Sequence, residues 1–301
     1  MTAKNKVGDP TTPRKGHFMK ARIITAIVAL CLFVPICIFS GTIVFPLAFA
    51  VLSMFGTYEM IRCIGAHKKY GYSIPLCVLA VVAPIYCYYS AALSTENAFS
   101  SILVVQFVIM ALLLLCSVVR RGKDAIPDLA TLYMMTSYVI ISFASIVLLR
   151  AEHNGNYLYL LVFVGSWVSD TGAWFFGRLF GKHKLIPEVS PKKTVEGAIG
   201  GALSAGAAFA LYGFLVHRME ETLSPNYLIL ILAGVICAVV SQFGDLIASL
   251  VKRHYGIKDY GNVFPGHGGV MDRFDSVRPT AILLYVIYSL SGISLVSIIF
   301  E

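Results

Sequence analysis

GDLIASLVKRHYGIKDYGNVFPGHGGVMDRFDS, residues 244–276, carries four aspartates, four Lys or Arg, two His and six glycines. Strongly apolar runs, Tyr227–Leu250 and Pro279–Phe300, lie on either side of it. A charge near the centre of a bilayer costs about 2.5–3.5 kcal/mol even on lenient insertion scales. A segment with this load therefore faces water, a metal or an ionic substrate. The apolar chain around it reads as the frame that holds it at a membrane.

That frame takes up most of the chain. Of 301 residues, 57% are hydrophobic and 13% charged, about half the charged fraction of a soluble domain. Seven more apolar runs precede the flanking pair: Ala21–Phe39, Thr42–Ile61, Ser73–Leu93, Ala98–Val119, Leu129–Leu149, Tyr157–Phe176 and Val195–Val216. Each is long enough to cross ~30 Å of hydrocarbon. The sequence thus predicts an all-α polytopic membrane protein of about nine transmembrane helices. Lys and Arg gather in cytoplasmic loops and so test the count. With the N-terminus inside, only Arg150 and Arg218 of the 24 Lys and Arg fall outside. The expected topology is N-terminus inside, C-terminus outside.

Residues 1–20 are polar and basic, and no A-x-A-like site follows them, so a retained first helix is expected in place of a cleaved signal peptide. Residues 21–301 read as one membrane domain, with the chemistry concentrated in 165–280. The seven cysteines sit in or beside apolar runs without a C-x-x-C pair, as small core hydrophobes. The net charge of +8 is scattered between spans and forms no nucleic-acid surface. GxxxxGK[ST], HExxH, GxSxG and GxGxxG are all missing from the sequence, which removes the main support for phosphate-loop NTPase, zincin, serine-hydrolase and dinucleotide readings. The small residues of GAIGGALSAGA (197–207) suit close helix contact in the seventh span.

What remains is a set of carboxylates at the membrane edge. Asp245 ends VVSQFGD, Asp272 and Asp275 lie three residues apart in HGGVMDRFDS, and Asp170 is embedded in the sixth span. A few acidic oxygens, completed by water and substrate phosphates, are the usual Mg²⁺ arrangement. Ion pairs of Asp272 or Asp275 with Arg273 or Arg278, or a helix-packing role for Asp170, would explain the same residues structurally. Pro265-Gly266-His267-Gly268-Gly269 lets backbone N–H groups turn toward an anion, with a helix start near Val270 adding its positive end. A plain re-entry turn would also want Pro and Gly. Lys192 and Lys193, in SPKKT before the seventh span, and Lys252 and Arg253 after the eighth are either topological anchors or ligands for a polyphosphate.

At residues 249–276 the sequence resembles the signature of the phosphatidate cytidylyltransferases, the CDP-diacylglycerol synthases. The matching positions are Ser249, Lys252, Arg253, Lys258, Asp259, Gly261, Pro265, His267, Gly268, Gly269, Asp272, Arg273 and Asp275. SDTGAWFFGRLFGKHKLIPEVSPKKTVEGAIGG, residues 169–201, is similar to the same family's middle region. The resemblance implies that CTP and phosphatidate give CDP-diacylglycerol and pyrophosphate with Mg²⁺, in a two-metal site at the cytoplasmic membrane edge. It implies Asp245, Asp272, Asp275 and Asp170 as metal ligands. It implies Lys252, Arg253 and His267 as further catalytic residues. Lys192, Lys193, Thr194, Lys258, Gly268, Gly269 and Arg273 are then expected to bind substrate. A homodimer is expected on the same ground, as is the cytoplasmic membrane if the source is bacterial. A cation-coupled transporter, or a CTP-dependent enzyme of a polyprenol or ether lipid, is the competing reading.

Overall fold

The computed structural model describes residues 15–66, 73–93, 95–119, 126–152 and 155–291. All nine predicted apolar runs fall on helices: α1 (Lys15–Ile38), α2 (Val44–Ile64), α3 (Ser73–Leu93), α4 (Thr95–Val119), α5 (Ile126–Ala151), α6 (Gly155–Phe180), α7 (Val195–Met219), α8 (Tyr227–His254) and, after the four-residue helix α9 (Val270–Arg273), α10 (Val277–Ser291). Among the described residues, α2 to α8 are long and apolar enough to cross a membrane; α1 and α10 contribute the shorter apolar stretches Ile27–Ile38 and Val277–Ile287. The protein is an all-α polytopic membrane protein. Residues 1–14 of the predicted tail, Lys68, Lys69, Arg120, Arg121 and Lys123, and residues 292–300 of the ninth run lie outside the described residues. Residues 15–20, read as the end of the tail, already belong to α1.

Lipid offers no partner for a backbone N–H or C=O, so each apolar run closes its hydrogen bonds within itself as a helix. What distinguishes the helices is how much of each the others cover. α5 is buried along nearly all of its second half, from Val139 to Leu149. Phe49 of α2 meets Phe143 of α5 and Phe163 of α6, with ring centres 6.3 and 6.4 Å apart. α4 lies at the rim, with Phe107, Leu115 and Val118 exposed.

α6 and α7 approach closely because small residues face each other. A Cβ on Gly172 would overlap Ser204, and one on Gly201 would press on the Ser169 carbonyl. The small residues of α7 are thus used inside the chain, against α6 and, at Ala205 and Gly206, against α8. The link between α6 and α7 holds a feature the sequence reading did not foresee. It is an antiparallel hairpin, β1 (Lys184–Ile186) and β2 (Ser190–Thr194), paired at Lys184–Thr194 and Ile186–Ser190. Thr194 then caps α7, its Oγ1 accepting from Gly197 N at 3.2 Å. The exit of α6, the hairpin, the start of α7 and the end of α8 consequently meet at one end of the bundle.

Candidate active site

A cavity of about 460 Å³ opens at that end, with Asp170, Arg178, Lys192, Lys193, Thr194 and Asp245 in its lining. Three elements supply them: α6 gives Asp170 and Arg178, β2 gives Lys192, Lys193 and Thr194, and α8 gives Asp245. Lys192 and Lys193 ride on β2, whose register is set by β1. Glu196 fixes the approach to β1, accepting from Lys182 N and His183 N and holding His183 Nδ1 at 2.6 Å. Lys193 Nζ sits 2.6 Å from Asp245 Oδ2 and 3.3 Å from the Gln242 carbonyl. Gln242 in turn donates to Ser169 Oγ and the Ala198 carbonyl, joining α8 to α6 and α7. Arg178 lies over the Trp174 ring, 5.6 Å from its centre. Gln242 and Arg178 were not singled out in the sequence, where nothing but their nearness to the motifs marked them.

The glycine-rich segment behaves differently from its expectation. Phe264 and Gly268 bridge, with Phe264 N donating to the Gly268 carbonyl and His267 N to the Phe264 carbonyl, both at 2.9 Å. Gly266 and Gly268 take positive φ, 75° and 90°, which a side chain would resist. The backbone donors that follow are already engaged by the chain's own carboxylates. Gly269 N donates to Asp272 Oδ2 at 3.0 Å, Val270 N and Met271 N to the two oxygens of Glu59 at 3.0 and 2.9 Å. The anion at this helix start is therefore Glu59, and Gly269 offers no spare N–H to a phosphate. Glu59, within an apolar span and 3% exposed, was missed; the one signal was a lone acid in α2.

Asp272 has both oxygens in use. Oδ1 receives Lys252 Nζ at 2.9 Å, and Oδ2 receives Tyr260 N at 2.8 Å in addition to Gly269 N. An intra-loop ion pair with Arg273 or Arg278 is not formed among the described residues. Asp170 Oδ2 accepts from Ser276 Oγ at 2.8 Å, and Ser166 Oγ donates to the Ser276 carbonyl at 3.2 Å. Asp275 Oδ1 accepts from Ser276 N. Burial, and then the nearby charge of Asp245, push the Asp275 carboxyl above the ordinary carboxylate range, against the pull of Arg278.

A second cavity, about 710 Å³, lies on the other side of Asp170. One wall is apolar, from α1, α2 and α6, and includes Leu30, Phe33, Ala48 and Trp167; the other carries His267, Asp272, Arg273 and Asp275. Thr25 Oγ1 of α1 donates to the Pro265 carbonyl at 2.9 Å, seating that helix on the turn. Asp170 is the residue common to both linings. Lys252 reaches the site through Asp272, whereas Arg253 and Lys258 are exposed and line neither cavity.

Among the described residues, no three His, Cys, Asp or Glu converge where they could hold a metal by themselves. Mg²⁺ does not require such a cage: one or two carboxylates, waters and substrate phosphates suffice. Asp170, Asp245 and Asp275 line the two cavities with carboxylate oxygens of the hard type such an ion takes, one or two at a time.

Residues 20–291 match the cytidylyltransferase family. The chain is 35% identical over 263 residues to the phosphatidate cytidylyltransferase of Staphylococcus haemolyticus, an alignment covering 86% of this chain and 94% of that one. It is 36% identical over 262 residues to the protein of the same name from Staphylococcus epidermidis and 33% over 261 residues to that from Staphylococcus aureus, with the same coverage.

Proposed function

The chain belongs to the cytidylyltransferase family, and from that premise we propose that the two cavities are the nucleotide and lipid halves of one transfer site. The protein is a nucleotidyltransferase of phospholipid synthesis, an integral multi-pass protein of the cell membrane, that makes CDP-diacylglycerol and pyrophosphate from CTP and phosphatidate. The observation that carries the assignment of the cavities is their contrast across a shared residue. A chamber lined by three cations and a chamber with an apolar wall and an acidic floor meet at Asp170.

In this reading the polar cavity takes CTP, with Lys192, Lys193 and Arg178 neutralising its phosphates and Thr194 at the start of α7 beside them. The second cavity takes the phosphatidate headgroup, its acyl chains lying along Leu30, Phe33 and Trp167 and Arg273 facing the phosphate. A phosphate oxygen of phosphatidate attacks the α-phosphorus of CTP; the bond to the β-phosphate oxygen breaks, and pyrophosphate leaves. Catalysis of this kind is positioning plus charge stabilisation, with no protein nucleophile. Asp245, Asp272, Asp275 and Asp170 would hold Mg²⁺, which supplies Lewis-acid stabilisation of the charge that develops on the transferred group. Asp272 takes part through Oδ1, which is held by Lys252 alone; its Oδ2 belongs to the loop. We place this end of the bundle at the cytoplasmic face, on the distribution of Lys and Arg.

The test is pyrophosphate release by the detergent-purified protein, given CTP, Mg²⁺ and phosphatidate and leaving out each in turn. Release that needs all three is the expected result. Equal release when a polyprenol or ether lipid replaces phosphatidate would overturn the substrate; release without added divalent metal, in the presence of chelator, would overturn the metal.

A further inference from the structure

A carboxylate inside a membrane bundle is costly unless donors surround it. Glu59 of α2 has such donors, but they are not side chains: its oxygens take the backbone N–H groups of Val270 and Met271 at 3.0 and 2.9 Å. Among the described residues it forms no ion pair. Two loop glycines are moulded around it, since a Cβ on Gly261 or Gly269 would overlap its carboxylate. At the other end of the same short helix stands Arg278, 1% exposed, its Nη2 donating to the Met271 carbonyl at 3.2 Å and its Nε to the Phe274 carbonyl at 3.0 Å. The guanidinium is stacked 4.9 Å from the centre of the Tyr138 ring of α5.

A buried acid thus holds the N–H end of α9 and a buried base its C=O end. Four residues cannot close helical hydrogen bonds for their own ends. Position and orientation of α9 are therefore set from outside: by α2 at its N–H end, by α5 and α10 at its C=O end, and by Lys252 of α8 through Asp272. What α9 carries is a charged pair of the lipid-side lining. Asp272 and Arg273 are on it, Asp275 is two residues past it, and Gly269, whose N–H orients Asp272, immediately precedes it. The polar cavity has no residue from α2 or α9.

We propose that Glu59 is a positioning residue for the phosphatidate side of the reaction. It places α9 so that Asp272 and Arg273 face the lipid headgroup, and it does not act on the CTP side. This inference rests on the assignment of the two cavities to lipid and nucleotide, so the experiment begins with a control for that assignment. Ala48→Phe, in the apolar wall and away from Glu59's hydrogen bonds, must raise KM for phosphatidate and spare KM for CTP. If it does not, the cavity assignment fails whatever Glu59 does.

With the control in hand, Glu59→Gln replaces one acceptor oxygen by an NH₂ that opposes a backbone N–H. Losing a buried acceptor and displacing α9 is expected to raise KM for phosphatidate about tenfold and to lower kcat by a similar factor, with KM for CTP within about twofold of the parent. Gly261→Ala, which leaves the acid in place but pushes its carboxylate aside, is expected to repeat the pattern more weakly, and it carries the same readout should Glu59→Gln not fold. A fall in kcat with both KM values unchanged would mean only fewer active molecules, and would overturn the proposal. So would equal shifts in the two KM values, or parental kinetics from a folded Glu59→Gln protein.

Discussion

The aspartates of the polar cavity and of the lipid-side cavity are held in different ways. In the first, charged side chains meet charged side chains, as in Lys193 with Asp245, on elements whose positions are set independently by helix packing and the hairpin. In the second, carboxylates hold backbone: Asp272 takes Tyr260 N and Gly269 N, and Glu59 takes Val270 N and Met271 N. Aspartates that look alike in the sequence therefore carry different loads. One can lose its charge and leave the local fold as it was, while the other supports the loop in which it sits.

Two isosteric substitutions separate these loads, and they carry the largest expected effects. Asp245→Asn removes a charge from the proposed metal and nucleotide side and a single ion pair with Lys193. Turnover is expected to fall by about 10²–10³-fold, in the range for loss of one transition-state stabilising group, with the thermal midpoint in detergent nearly unchanged. Asp272→Asn is expected to cost as much activity and, in contrast, to lower the midpoint as well. An amide still accepts on one oxygen but cannot satisfy Lys252, Tyr260 N and Gly269 N together, and each buried donor left unpaired costs about 1–3 kcal/mol. Equal midpoints for the two variants would break the contrast.

A substitution in the apolar wall probes the second cavity from its uncharged side. Ala48 of α2 lines it, half-buried, beside Phe33 and Trp167. Ala48→Phe fills space that the acyl chains are assigned. One methylene too many or too few in an apolar pocket already shifts affinity by about 10–200-fold, and flexible chains that can move aside put the expected rise in KM for phosphatidate near the lower figure. KM for CTP should stay put. The effect should also weaken with shorter acyl chains, measured with phosphatidates of graded length in mixed micelles.

The bundle was legible in the sequence because a run of about twenty apolar residues has no alternative to a helix in lipid; Ser73–Leu93 was bounded to the residue. The charged segment 244–276 stood out as a candidate site, since its load has no place in hydrocarbon. What escaped are contacts whose two halves are far apart in the chain. The partners of Glu59 lie 211 and 212 residues away, and a lone acid in an apolar run says only that some partner exists. The glycine-rich turn suggested a phosphate, whereas Val270 N and Met271 N hold Glu59, because spacing does not say whether a carboxylate of the chain is already bound there. The seventh span's small residues promised a close helix, and only the fold reveals that there are two, α6 at Gly197 and Gly201 and α8 at Ala205 and Gly206. The hairpin escaped for its size: three and five residues, with Pro187 and Pro191 in and beside it, give no periodic signal.

Glu196 offers the smallest effect and the finest discrimination between the cavities. It belongs to the first turn of α7, yet its carboxylate reaches back to Lys182 N and His183 N and holds the His183 ring, just ahead of β1. Since β1 sets the register of β2, and β2 carries Lys192 and Lys193 into the polar cavity, Glu196 supports the phosphate-facing lysines at second hand. The β1–β2 pairing and the Thr194 cap survive its loss, so the lysines are loosened and not displaced. Glu196→Gln removes the charge from these exposed hydrogen bonds, where water already competes for the same groups. KM for CTP is accordingly expected to rise roughly twofold to fivefold, with KM for phosphatidate and thermal midpoint unmoved. A matching shift in KM for phosphatidate would mean that the hairpin serves both cavities, and that the division at Asp170 is less complete than their linings imply.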